Sequence, residues 1–139
     1  MAEFSVTHSY AATPERVFDA WLDPAIARRF LFATPTGEMI RAEVDACVGG
    51  QFTFVDRRPD MGDVLHTGEY LEIDRPRRLV FTFGVPQFNT GYTQVTVEIA
   101  SAGGGCHVTL TQSQVPAEWA DRSKEGWTMI LGWLEAALS

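Results

Sequence analysis

The sequence predicts an α+β fold in which a curved antiparallel sheet of seven strands surrounds one long C-terminal helix. Between residues 37 and 112, apolar residues recur at every second position in six successive segments, as in strands with one buried face. Residues 117–138 contain no proline and place large apolar residues at helical spacing. A sheet with one apolar face needs a cover, and only this helix is long enough to provide it.

One strand and two short helices precede those six strands. Alternation in EFSVTHSY predicts the first strand. In the next segment, ATPERVFDAWL, Thr13 can cap a helix and Pro14 suits its first turn. Asp23-Pro24 ends that helix and can begin a second one, AIARRFLF. We expect these two helices to close one end of the sheet.

The six later strands follow from alternation and from turn residues between them. In chain order they are EMIRAEVDA, GGQFTFVD, VLHTGEYLEID, RLVFTFGV, GYTQVTVEIA and CHVTLTQ. Gly49-Gly50 predicts a hairpin between the first two. Alternation in the first places Ile40, Ala42 and Val44 on one face. Gly68 predicts either a β-bulge or a close approach of another part of the chain.

The last helix has one wide apolar face. Its members are Trp127, Ile130, Leu131, Leu134 and Leu138, with Met129 and Trp133 widening it. Gly126 and Gly132 interrupt the helix, and each costs about 1 kcal/mol of helix stability relative to alanine. Glycines at such a cost indicate either close packing or space left open.

Composition and charge exclude several function classes. The 139 residues, 45% hydrophobic and 21% charged, fit a single domain, 1–139. The formal net charge is −7, and we interpret the arginine pairs at 28–29, 57–58 and 77–78 as solvated loop charges. We therefore expect no nucleic-acid or membrane partner. Since no secretory signal and no membrane-length apolar run is recognisable, we expect a cytoplasmic protein.

The cysteines and histidines form no metal or redox motif. Cys47 and Cys106 lie in apolar, strand-like segments and are interpreted as reduced core residues. His8, His66 and His107 lie in three separate segments, without a partner at a ligand spacing. Neither a metal nor a cofactor is expected.

The element order and the residues that carry it resemble the START-like (SRPBCC) helix-grip superfamily. More narrowly, the chain is similar to the activator of heat-shock-protein-90 ATPase homologue family. The matching stretches are ATPERVFDAWLDP, Gly49-Gly50, TGEYLEIDRPRRLVFTF, GGGCHVTLTQ and EGW in the last helix, and together they span essentially all 139 residues. The resemblance implies a seven-stranded sheet gripping the C-terminal helix, often with an apolar cavity between them. The eukaryotic co-chaperone carries a second domain for which 139 residues leave no room, which weakens direct transfer of its ATPase-activating role.

The candidate ligand-binding residues are those expected between sheet and helix. They are Phe30, Phe32, Phe54, Tyr70, Phe83, Gln112, Trp127, Ile130 and Leu131. Their rings can either fill a solid core or line a ligand-sized cavity. Gln112 continues an inward alternation, and a buried glutamine must find hydrogen bonds. His66 and Tyr70 are an even number of residues apart, so both should face the same side of their strand unless a bulge at Gly68 turns one of them outward. A histidine and a tyrosine facing one cavity could act in acid-base catalysis. No catalytic residue is assigned.

We expect non-catalytic binding of a small hydrophobic or aromatic molecule between sheet and helix, oriented by Gln112 or Tyr70. One alternative is a co-chaperone-like module that contacts a chaperone through its surface and has a filled core. Another is a cyclase- or hydrolase-like enzyme with a histidine, tyrosine or carboxylate facing the cavity. Self-association into a homodimer is left open.

Overall fold

The computed structural model describes residues 2–32, 34, 36–86 and 91–138 and confirms the predicted fold class. The strands are β1 (Ala2–Tyr10), β2 (Glu38–Val44), β3 (Gln51–Arg58), β4 (Gly62–Asp74), β5 (Arg78–Phe83), β6 (Thr93–Ala102) and β7 (Gly105–Val115). They form one antiparallel sheet in the order β1-β7-β6-β5-β4-β3-β2. The helices are α1 (Pro14–Leu22), α2 (Pro24–Ala27) and α3 (Ala120–Ala137), with one turn of 3-10 helix (Ala117–Trp119) before α3.

The two short helices begin at the predicted caps. The Thr13 side chain accepts a hydrogen bond from the backbone N–H of Arg16, and Asp23 accepts one from Ala25. Helix α1 buries four residues against the core: Val17, Phe18, Ala20 and Trp21. These caps fix where the chain turns from β1 across the end of the sheet.

The predicted inward orientation of Ile40 is wrong. Met39 pairs with Asp56 while Arg41 pairs with Val55, so β2 holds one extra residue at this point. Such a bulge reverses the alternation of the strand. Met39 is therefore buried at 8% exposure, whereas Ile40 faces outward at 39%.

Gly68 marks a close approach and not a bulge. His66, Gly68 and Tyr70 are all buried, so the alternation of β4 runs through the glycine unchanged. A Cβ atom at this position would collide with the carbonyl oxygen of Thr82 and with the Phe52 ring. The register of β4 shifts later, between Tyr70 and Glu72.

The two cysteines differ in environment. Cys106 is buried in β7, as predicted. The prediction of a core position is wrong for Cys47, which is exposed. The reason is that β2 ends at Val44, so Cys47 lies in the connection to β3, where its thiol contacts Asp45.

Helix α3 packs its apolar face onto the sheet. The predicted core residues of this face, Trp127, Ile130, Leu131, Leu134 and Leu138, are all buried. The Tyr10 hydroxyl donates to the carbonyl oxygen of Leu131 at 2.7 Å, and His8 contacts Glu135 at 2.8 Å, which ties β1 to the helix. Within the described residues, no helix combines the length and the apolar character needed to cross a membrane.

Candidate ligand-binding cleft

A cleft of about 260 Å³ lies between α3 and the inner face of the sheet at β3, β4 and β5. Its apolar walls are Phe32, Phe83, Trp127, Met129, Ile130 and Trp133. Its polar lining consists of Thr34, Arg58, His66 and Ser123, and Gly126 completes the helix side. The cleft is open to solvent beside Met129, which is 45% exposed.

Phe32 forms the centre of the aromatic wall. Its ring lies parallel to His66 and to Phe83, each at a centroid distance of 4.7 Å, and edge-on to Trp127 at 5.8 Å. The backbone of Phe32 has a φ of 61°, the left-handed region that a bulky residue rarely adopts. Such a conformation costs on the order of 1 kcal/mol, so the ring packing must hold it in place.

Gln112 holds the indole of Trp127 against the sheet. Its side chain faces inward and is 2% exposed. The Trp127 indole N–H donates to Gln112 Oε1 at 2.9 Å, and Gln112 Nε2 donates to Thr93 Oγ1 at 2.8 Å. Both ends of a buried amide are thereby satisfied. Gln112 thus fixes the orientation of Trp127, which lines the cleft, although Gln112 itself does not line it.

The polar end of the cleft is built around the fully buried carboxylate of Asp56. One oxygen, Oδ2, accepts hydrogen bonds from Thr34 Oγ1 at 2.8 Å and from Arg58 Nε at 3.0 Å. A side chain on Gly37 would contact both Asp56 and Thr34, so a glycine is needed beside the carboxylate. The interpretation as a solvated loop charge is wrong for Arg58, because β3 continues to this residue and its side chain is only 21% exposed.

His66 faces the cleft as a neutral imidazole. Burial, and next the positive charge of Arg58, lower its pKa to about 4. Tyr70 is also inward, but it packs against Phe52 and Phe81 in the core, where burial raises its pKa. Four residues along a strand separate the two side chains by about 13 Å. They therefore do not form the acid-base pair that their shared parity suggested.

The nine candidate residues divide into three groups. Phe32, Phe83, Trp127 and Ile130 line the cleft. Gln112 lies behind Trp127. Phe30, Phe54, Tyr70 and Leu131 lie in the packed core beside it. Since Phe30 packs edge-on against Trp21, and Phe54 against Phe52, these rings support the cleft without bordering it.

Three lining residues, Thr34, Arg58 and Ser123, were not recognised from the sequence, whereas Gly126, Met129 and Trp133 were noted on the last helix without being assigned to the site. Two signals point to some of them. Arg58 continues the period of two set by Phe52 and Phe54. Ser123, Gly126, Ile130 and Trp133 recur at i, i+3, i+7 and i+10, which defines one stripe of α3 next to its buried face.

The two helix glycines leave open space. Nothing lies within 4 Å of a Cβ placed on Gly126 or Gly132. We expect Gly126→Ala and Gly132→Ala each to raise the free energy of unfolding by about 1 kcal/mol, because alanine loses less backbone entropy in a helix. Urea denaturation measures this, and a loss of stability in either variant would contradict the open space.

A curved antiparallel sheet, a gripped C-terminal helix and an apolar cleft between them define a START-like helix-grip domain. Residues 11–139 match the family model described as "Activator of Hsp90 ATPase homolog 1-like protein". The chain belongs to this family.

Solved structures show the same fold. A crystal structure of a Chromobacterium violaceum protein is 24% identical with a TM-score of 0.86, covering 98% of this chain and 96% of that one. The solution structure of the AHSA1-like protein from Aeromonas hydrophila is 25% identical with a TM-score of 0.85, covering 99% and 92% of the two chains. A Nitrosomonas europaea protein is 18% identical with a TM-score of 0.83, covering 98% and 93%. No curated protein sequence matches the chain.

Proposed function

We propose that the protein binds a small hydrophobic or aromatic molecule in the cleft between the sheet and α3. The observation that carries this proposal is the cleft itself, about 260 Å³ beside Trp127 and walled by six large apolar side chains. A filled core would have closed this space. Gly126, on the helix side, supports the proposal because it leaves the cleft open at a cost in helix stability.

Apolar burial supplies the driving force. Each Å² of apolar surface removed from water contributes about 25 cal/mol, so a two-ring molecule that buries roughly 250 Å² gains about 6 kcal/mol. Part of this is offset by the freedom the molecule loses on binding. The rings of Phe32 and Trp127 are inclined to each other by 69°, an arrangement that can contact a flat molecule on more than one side.

Native mass spectrometry of the freshly purified protein tests the proposal. We expect a small molecule to co-purify with the wild type and to be lost from Gly126→Leu, whose side chain would extend into the cleft. Gly132→Leu is the matched control, because it adds the same side chain to the same helix at a position that does not line the cleft. This control should retain the molecule.

Two outcomes would count against the proposal. The first is that no molecule co-purifies and none of a set of aromatic probes binds. The second is that both leucine variants lose binding equally, which would assign the effect to the helix and not to the cleft. Thermal unfolding of each variant distinguishes loss of the cleft from loss of the fold.

The co-chaperone and enzyme alternatives stay predictions. The large apolar side chains exposed within the described part of the chain are spread over several elements: Ile40, Val48, Met61, Leu71, Tyr92 and Met129. They do not favour a chaperone-binding patch. A pull-down with the cell's own heat-shock-protein-90 homologue distinguishes the co-chaperone role from ligand binding in the cleft. The co-chaperone role predicts that the homologue is enriched, and ligand binding predicts that it is not.

A further inference from the structure

We propose that the cleft selects neutral aromatic molecules that carry a carbonyl group, with the carbonyl oxygen accepting a hydrogen bond from Arg58. This inference rests on the proposed function and adds the chemical class of the ligand. It follows from the charge, the hydrogen-bond donors and the burial at the polar end of the cleft.

The charge at the polar end is already balanced. The guanidinium of Arg58 is paired with the carboxylate of Asp56, whose side chain is 1% exposed. His66, 5% exposed, adds no charge near pH 7, because its pKa is lowered to about 4. A ligand carboxylate would bring a second, uncompensated anion into a half-buried site, and losing its hydration would cost free energy. A ligand cation would meet Arg58 first, since Asp56 does not line the cleft.

Arg58 retains unused donors. Asp56 engages only its Nε atom, in place of the two-pronged pairing that arginine and carboxylate often adopt. Of the terminal nitrogens, Nη1 has only a long contact of 4.0 Å to Met61 Sδ, and Nη2 has no acceptor among the described residues. Arginine can donate hydrogen bonds but cannot accept them, so the matching group on the ligand must be an acceptor.

The polar groups next to Arg58 leave it as the main hydrogen-bond donor in the cleft. Thr34 gives its hydroxyl hydrogen to Asp56, so towards the cleft its oxygen has no hydrogen left to donate. The Nδ1 atom of His66 is buried without a hydrogen-bond partner in the described ranges, and the imidazole ring lies parallel to Phe32. Arg58 is therefore the main donor, and an aromatic ketone, ester or amide presents the acceptor that fits it without adding charge.

The test compares three probes that share one ring system: naphthalene, 2-acetylnaphthalene and 2-naphthoate. Isothermal titration calorimetry at pH 7 should show 2-acetylnaphthalene binding about tenfold more tightly than either of the others, the gain typical of a hydrogen bond to a charged group. This order of affinities is measured on the wild-type protein, so the result does not depend on whether a variant folds. Tighter binding of 2-naphthoate, or no preference for the ketone over naphthalene, would overturn the inference while the proposed function stands.

The double variant Asp56→Asn/Arg58→Met tests the assigned donor. It removes both charges together and so leaves no unpaired buried ion. We expect the tenfold advantage of the ketone to fall to about one, with the Kd for naphthalene unchanged, which also shows that the cleft is intact. Arg57→Met is the control, since Arg57 pairs with Asp63 on the other face of β3 and should leave the advantage unaltered.

A ketone advantage that survives in the double variant overturns the role of Arg58. If none of the three probes binds the wild type, the inference falls, and the proposed function falls with it when no molecule co-purifies either.

Discussion

Replacing Gly68 with alanine is expected to lower the free energy of unfolding by about 4 kcal/mol, the largest effect of any change considered for this protein. The Cβ atom would meet the Thr82 carbonyl oxygen on one side and the Phe52 ring on the other. Phe52 is 2% exposed and packs against Tyr70 and Phe81, so its ring cannot swing away. The strand must then move, and its hydrogen bonds with it.

The bonds at risk join β4 to the end of β5. Thr67 and Gly84 exchange two backbone hydrogen bonds, at 3.0 and 2.9 Å, and the Glu69 N–H donates to Thr82 Oγ1 at 2.9 Å. Since small domains are stable by only about 5–15 kcal/mol, this loss would leave a sizeable unfolded fraction on mild heating. Urea unfolding measures it, with Gly126→Ala as the control for adding a methyl group where space exists. Equal stability of the two variants would refute the close approach at Gly68.

Acidification is expected to remove about 3 kcal/mol of stability through His66 alone. Burial and the charge of Arg58 lower its pKa to about 4 in the folded protein, against about 6.5 in an unfolded chain. Between these values the unfolded chain binds a proton that the folded protein does not. The free energy of unfolding contributed by His66 is therefore fully present above pH 6.5 and is lost as the pH falls to 4.

His66→Phe separates this contribution from every other effect of lowering the pH. Phenylalanine keeps a ring that can lie parallel to Phe32, but it takes up no proton. Urea unfolding at pH 7.5 and at pH 4 should show the wild type losing about 3 kcal/mol more than the variant over this interval. Parallel losses in the two proteins would mean that His66 is accessible to protons in the folded state.

The sequence predicted the sheet and the gripped helix because each has its own period. The alternation of Val95, Val97 and Ile99 and the helical spacing of Trp127, Leu131 and Leu134 depend on which side of an element is buried, a property local to that element. The error at Ile40 arose from strand pairing. The outward turn of Ile40 follows from one extra residue opposite β3, and this depends on the partner strand, which a period of two within β2 cannot reveal.

Apart from His66, the candidate site was predictable only in its apolar part. Phe32, Phe83, Trp127 and Ile130 were recognised because large rings and aliphatics expected between sheet and helix must lie near any space there. Arg58 and Asp56 were missed because a charge at the end of a strand is usually solvated. Their role depends on tertiary contacts, in which one oxygen of the buried Asp56 carboxylate accepts from Arg58 and from Thr34 of another segment.

The open space at Gly126 makes this position a point at which specificity can diverge. Any side chain there projects into the cleft, and no neighbouring atom need move to admit its first carbon. A series from glycine through alanine and valine to leucine would shorten the accepted molecule in steps while each member also stiffens the helix. Under the proposed function, one helix residue therefore sets the size of the accepted molecule, while the strands that carry the fold stay unchanged.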